Sequence, residues 1–280
     1  VDRRQRQMCI RDRSFADDGY SIREGKDWKS ELEKDLDLAH GWITSSGLVI
    51  NESKTEFTLF STKKTPTPSI SLKGQEIKAK DSIRVLGVQY DSKLSWCNQI
   101  ESVIQKLHRL SYTMRYLNRY FNYNEITTVL KNQLFSSAYY NCEVWLLPTL
   151  HSSLKRRLLS ASAGVIRNAY QAVGWPISRL DLHEMAGIPT PDQWGNYCNS
   201  RALHKVLNFE RPSEIYNELI NQAIHETRSG KTYFIASNLK KAGANAFQNR
   251  VLFISKRLDY VNWLQEWKYL KSTVKREFLK

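Results

Sequence analysis

No stretch of 18 or more apolar residues occurs in this chain, so no membrane-spanning helix is expected. Nothing in it reads as a secretory signal peptide. Cysteine is sparse. Cys9, Cys97, Cys142 and Cys198 stand far apart with no CxxC pair, so neither a zinc-finger spacing nor a disulfide framework is legible. Dispersed cysteine fits a reducing, intracellular setting, cytoplasm or nucleus. There is no P-loop, no GxSxG elbow, no dinucleotide-binding glycine pattern, no CCHC box, no downstream nuclease signature and no internal repeat. His183-Glu184 opens like a zinc-binding HExxH, but Gly187 stands where the second histidine is required.

What is present is basic charge. The 280 residues carry 42 Lys and Arg against 28 Asp and Glu, a formal charge of +14. With 41% apolar and 25% charged residues the composition is that of a folded protein with a real core. The cations recur along most of the chain and form no single tail, so a polyanionic partner, nucleic acid first, is expected. A well-solvated basic surface is the competing explanation. Val1 to Arg13 has no useful period, and its "QMCIRDR" reads as sequencing-adapter read-through. It is left out of the fold expectation.

From Ser14 to about Ser95 the pattern is mixed α/β. Asp27 is placed to cap a helix running to about Thr44, with Leu32, Leu36, Ala39 and Ile43 at helical spacing. "GLVINESKTEFTLFS" reads as a strand, a polar turn at Asn51 to Ser53, and a second strand. "SISLKGQEIK" reads as a hairpin around Lys73-Gly74, and "SIRVLGVQYD" as an apolar strand ending at Asp91. After Trp96 nearly everything to Phe209 reads as helix. Between Ile100 and Tyr120, Val103, Leu107, Leu110, Met114 and Leu117 form an apolar stripe; opposite lie His108, Arg109, Tyr112, Arg115, Tyr116 and Arg119. The next helix, after Asn124, carries Ile126, Leu130, Leu134 and Ala138. A third, after Ser152, carries Leu154, Leu158, Val165 and Ile166 beside Lys155, Arg156 and Arg157. Beyond Phe209 the pattern predicts a helix over Ser213 to Thr227, an irregular segment at "GKTYFIASNLKKAGANAF", and a last helix from Asn249 onward.

Four short pieces occur in order: Phe15-Ala16-Asp17-Asp18, then Gly47 to Glu56 ("GLVINESKTE"), then Leu86 to Trp96 ("LGVQYDSKLSW"), then "LDLHEMAGIPTP". In this order they resemble the reverse transcriptase of non-LTR, LINE-like retrotransposons, over about residues 14 to 205. The resemblance implies an α+β fold. A truncated polymerase palm, a small antiparallel sheet with a helix, covers 14–95; a helical thumb covers 96–175, and a basic helical extension covers 176–280. It also implies an RNA-directed DNA polymerase acting on an RNA template and DNA primer.

The residue types suit that chemistry. Two Mg²⁺ ions, held by hard carboxylate oxygens, activate a primer hydroxyl and stabilise the phosphate in transfer. The resemblance assigns Asp17 and Asp18, at a hairpin tip, as metal ligands. It makes Lys54 the general acid for the leaving pyrophosphate, which requires positive charge near developing anionic oxygen. Leu86, Gly87 and Val88 resemble the primer grip, and Trp96 is expected to pack between palm and thumb. Arg109, Tyr112, Arg115, Tyr116 and Arg119 are expected on the nucleic-acid face of the thumb helix, with Lys155 and Arg156 as further contacts. No disulfide-linked partner is expected.

A complete palm also draws a third metal-binding aspartate from an upstream strand, together with fingers. These residues contain no counterpart of either, and "GYSIREG" after Asp18 is more polar than the family pattern. Little or no polymerase activity is therefore expected from these residues alone. The other readings are a helical nucleic-acid-binding protein without catalysis and a domesticated interaction protein.

Overall fold

Residues 13–15, 18–61, 67–147, 150–209, 224–226, 232–234 and 267–279 are described by a computed structural model. Among them the fold is α+β: eight helices and four antiparallel two-stranded hairpins. The chain divides into two units, residues up to Leu94 and residues from Ser95 onward.

In the first unit, β1 (Arg13–Phe15) pairs with β2 (Asp18–Tyr20), Phe15 lying opposite Asp18. Arg13, left out of the fold expectation, is thus part of a strand opposite Tyr20. Helix α1 (Trp28–Ser45) follows. Asp27 occupies its cap position, but its side chain caps nothing; Ser30 Oγ donates to its carbonyl instead, at 3.1 Å. Asp35 is buried on α1 and paired with Arg23 at 2.5 Å. Such burial is tolerable only because the charge is paired.

The strands expected in "GLVINESKTEFTLFS" are not there. Leu48 to Asn51 is not in a sheet, a 3₁₀ turn spans Glu52–Lys54, and Thr55 to Ser61 joins no ladder. The reason is burial: Leu48 is 60% and Val49 93% exposed, so no surface pays for ordering a strand there. The second half is tied down by isolated bonds, Lys80 N–H to the Phe57 carbonyl at 2.8 Å and Thr58 Oγ1 to the Lys80 carbonyl at 2.7 Å. Phe57 stacks on Trp28 with ring centroids 5.6 Å apart. Around them Leu32 and Ile70 complete the small core.

Strands β3 (Ser69–Leu72) and β4 (Gln75–Lys78) make the expected hairpin about Lys73-Gly74. "SIRVLGVQYD", however, is no single strand. It folds back as β5 (Ser82–Val85) and β6 (Val88–Asp91), with Val85 opposite Val88. Leu86 (φ 46°) and Gly87 (φ 82°) are both left-handed, the geometry of a type I′ turn, whose twist matches the flanking strands. Glycine adopts that conformation freely; Leu86 does so against its Cβ.

The second unit begins with α2 (Cys97–Leu117), entered through Trp96, which is buried in the left-handed region (φ 65°). Ile100, Val103, Ile104, Leu107 and Met114 are buried, each contributing roughly 1.5 to 3 kcal/mol. Helix α3 (Tyr123–Gln133) starts one residue before Asn124 because Asn122 and Glu125 form a reciprocal capping box. It runs into a π turn (Leu134–Ala138), then a short α4 (Cys142–Trp145) and α5 (Ser152–Ala169). Asn168 Nδ2 donates to Ser111 Oγ and Asn118 Nδ2 to the Asn168 carbonyl, both at 2.6 Å; Arg157 pairs with Glu101. These contacts advance together along both chains, so α2 and α5 run parallel. Ala161, Ala163 and Ala169 are buried on α5.

Helix α6 (Arg179–Met185), capped by Ser178, leads to α7 (Pro191–Phe209). Residues on either side of 175 belong to one compact unit. The Ser213–Thr227 helix expectation fails at its end: β7 (Ile224–Glu226) pairs with β8 (Thr232–Phe234), placing a strand inside the segment expected to be irregular. Of the last expected helix, α8 (Trp267–Phe278) is present, burying Leu270, Val274 and Phe278 on one stripe. The rest of both expectations lies outside the described residues. Among the described residues no helix is long and apolar enough to cross a membrane.

Candidate nucleic-acid interface

Asp18 opens β2 and is exposed; the Tyr20 hydroxyl donates to its Oδ2 at 3.0 Å. Asp17 lies outside the described residues. Lys54 ends the 3₁₀ turn, exposed, and Asn51 organises that turn. The Lys54 N–H and Thr55 Oγ1 donate to the Asn51 carbonyl at 3.1 and 3.2 Å, and Ser53 Oγ donates to Asn51 Oδ1 at 2.7 Å. Among the described residues no hydrogen bond or ion pair joins Asp18 to Lys54.

The donor set can be tested against magnesium. Mg²⁺ demands near-octahedral oxygen coordination. Asp18 is a suitable hard ligand, but the described residues gather no cluster of three carboxylates around it, and Tyr20 already engages one of its oxygens. They do not make a magnesium site by themselves.

The primer-grip candidates divide. Leu86 and Gly87 are the tip of the β5–β6 turn, with Leu86 41% exposed, whereas Val88 is buried. An exposed leucine held in left-handed backbone is an unusual feature, of the kind that concentrates at functional sites.

The face of α2 is the most developed surface. While Val103, Leu107 and Met114 of its apolar stripe are buried and Leu110 and Leu117 half-buried, His108, Arg109, Tyr112, Arg115 and Tyr116 face solvent, as does Arg119 in the turn after it, Tyr112 being 74% exposed. Arg109 Nε reaches only the Gln105 carbonyl, at 3.4 Å. Among the described residues no ion pair neutralises Arg109, Arg115 or Arg119. The aromatic series continues further than the sequence pattern indicated. Tyr120 sits 5.3 Å from Tyr116, centroid to centroid, and Tyr123 stacks on Tyr170 at 4.9 Å. The signal was there in the i, i+4 spacing of Tyr112, Tyr116 and Tyr120.

Beyond the end of α2 lies an open cavity of about 400 Å³, lined among others by Phe121, Tyr123, Tyr170, Trp175 and Met185. The Tyr170 hydroxyl is held by Thr127 at 2.7 Å, and burial raises its pKa above the usual phenol value. Lys106 and Arg109 line a second hollow of about 360 Å³.

The basic run on α5 is different. Lys155 faces Asp192 at 3.5 Å and Arg157 pairs with Glu101; Arg156 is exposed with no ion pair among the described residues. Two of the three charges are thus met by acids of the same unit.

Deeper in that unit the phenol of Tyr139 is fully buried, donating to Ser162 Oγ at 2.8 Å; desolvation pushes its pKa far up. His183 is buried with Nδ1 against the Ile188 carbonyl at 3.1 Å and no partner for Nε2 among the described residues. Burial lowers its pKa. The structure also brings Cys142 and Cys198 together, which their separation in sequence hid.

A scan against protein-family models, a search of curated proteins and a search of solved structures each return no match.

Proposed function

We propose that this chain is a C-terminal portion of a non-LTR retrotransposon reverse transcriptase, and that its own activity is to bind an RNA–DNA template–primer duplex along α2. The observation that carries the binding is the solvent face of α2. It sets Arg109 and Arg115 on the helix and Arg119 in the turn just past its C-cap, none with an ion pair among the described residues, beside exposed Tyr112 and Tyr116. Arginine there meets phosphate, and tyrosine stacks or bonds to sugar. The order of the short boxes supports the family. The palm reading is further supported by the uncovered apolar residues of the first unit, Leu38 and Trp42 on α1 beside Leu48 and Val49 in sequence, which a fuller palm sheet would bury. The β5–β6 tip suits a primer grip, and Asp17, Asp18 and Lys54 take the catalytic roles in the intact enzyme. There magnesium would supply nucleophile activation and charge stabilisation; the described residues make no such site by themselves, and the chain alone does not polymerise.

Fluorescence anisotropy with a labelled RNA–DNA duplex tests the binding. Affinity falls with salt, and the triple variant R109Q/R115Q/R119Q flattens the log–log salt slope by about 2 to 3, close to 0.9 per lost phosphate contact. Binding indifferent to salt, or unchanged in the variant, refutes it. Primer extension separates the family from the non-catalytic alternative. A chain extended upstream through an aspartate box and fingers copies RNA with Mg²⁺ and stops doing so on Asp17→Ala. An upstream sequence without that box leaves a non-catalytic nucleic-acid-binding protein.

A further inference from the structure

Cys142, the first residue of α4, is fully buried; Glu143 and Cys198 are half-buried, and the two Sγ atoms and a carboxylate oxygen all lie within 4.8 Å of one another. The fold builds this meeting. Gly195 on α7 lies so close to Leu146 that a Cβ there would sit 3.0 Å from its side chain. Leu146 N–H bonds back to the Cys142 carbonyl at 2.8 Å, one turn away. Cys198 lies one turn past Gly195 on the same face of α7. The close approach that glycine permits therefore sets one thiol opposite the other. Asn141, before Cys142, is held in left-handed backbone at φ 49°, which aims the start of α4.

We infer that Cys142, Glu143 and Cys198 form a metal site for a borderline-soft divalent cation, zinc foremost, that staples α4 to α7. Two sulfurs on a tetrahedral zinc, each about 2.3 Å from it, stand about 3.8 Å apart. The side chains reach that spacing by closing in by an ångström or less. Two thiolates exclude magnesium and calcium, which take oxygen. Glu143 and Cys198 are half-buried, so solvent would supply the fourth ligand. The hydrated cation exchanges waters for two metal–sulfur bonds and one metal–oxygen bond to the Glu143 carboxylate, and the two thiols each release a proton to solvent. The Cys142 thiol is held well above the ordinary thiol range, first by its hydrogen bond with Cys198 and then by burial. The site stands apart from the polymerase reading and survives its failure.

The test uses the full chain, reduced and stripped of metal, titrated with Co²⁺ and then Zn²⁺. One Co²⁺ per chain binds with a thiolate-to-cobalt charge-transfer band, Zn²⁺ displaces it, and excess Mg²⁺ does not. Cys198→Ser, at the half-buried position, abolishes the band and weakens binding at least about a hundred-fold, more than loss of an outer-shell partner costs. Cys97→Ser changes nothing. In the unmutated chain Zn²⁺ protects Cys142 and Cys198 from alkylation, read by peptide mass spectrometry, so the result does not depend on how a variant folds. Absence of the band, its survival in Cys198→Ser, no protection from alkylation, or a Cys142–Cys198 disulfide that takes up no metal after reduction would each overturn the site.

Discussion

Up to Leu94 the described residues bury five apolar side chains: Leu32, Phe57, Ile70, Leu72 and Val88. Beyond it α2 alone buries five, Ile100, Val103, Ile104, Leu107 and Met114. The first unit meanwhile leaves Ile22, Leu38, Trp42, Leu48, Val49 and Phe60 exposed. The contrast follows from element type. An amphipathic helix satisfies its own backbone and needs only a partner for its stripe. A two-stranded hairpin leaves both edges and one face unmet, and is marginal without further strands or a helix. The helical unit therefore supplies its own stability, and the hairpin unit carries surfaces that further burial would stabilise. The candidate residues divide the same way: Arg109, Arg115 and Arg119 belong to the helical unit, Asp18 and Lys54 to the hairpin unit.

The largest expected effect lies in the helical core. Leu107→Ala lowers the unfolding free energy by about 2 to 5 kcal/mol, whereas Val49→Ser in the first unit stays within about 0.5. Chemical denaturation of both variants measures the difference; equal losses would erase the contrast. A second effect depends on pH. Burial depresses the His183 pKa, so the unfolded chain takes up this proton before the folded one does. The stability is present above the ordinary value of 6.5 and is lost as pH falls toward the depressed one, by at most about 1.4 kcal/mol per pH unit. His183→Gln flattens that slope in denaturant titrations at several pH values.

Smaller effects come from local geometry. Asn122→Ala removes the α3 capping box and costs about 1 kcal/mol, read as a lower melting temperature. Leu86→Asn relieves the left-handed strain at the β5–β6 tip and creates the Asn-Gly pair that type I′ turns favour. It slows amide exchange in that hairpin by up to about tenfold, on the order of 1 kcal/mol, and faster exchange would show that Leu86 is not strained.

Helices proved far more legible than strands. The stripe of Val103, Leu107 and Met114 repeats within one segment, so a local pattern suffices. In "GLVINESKTEFTLFS" the β-branched and aromatic residues promised strands, but strand formation depends on a partner elsewhere, and exposed Val49 has none to bury it. "SIRVLGVQYD" read as one strand because its apolar run hid a turn; Gly87 was the available signal. Among the site residues, the arginine and tyrosine face of α2 followed from periodicity alone. The pairing of Lys155 with Asp192 and of Arg157 with Glu101 did not, because each joins residues distant in the chain.

Composition and short-range order were enough to establish a basic chain of mixed helix and strand, the amphipathic face of α2 and the order of the short boxes, since charge and period are properties of neighbours. Which cations stay unpaired among the described residues, that Tyr123 stacks on Tyr170, and that Cys142 meets Cys198 were settled only when the chain closed on itself. Those facts depend on distances between residues many positions apart, and packing alone determines them.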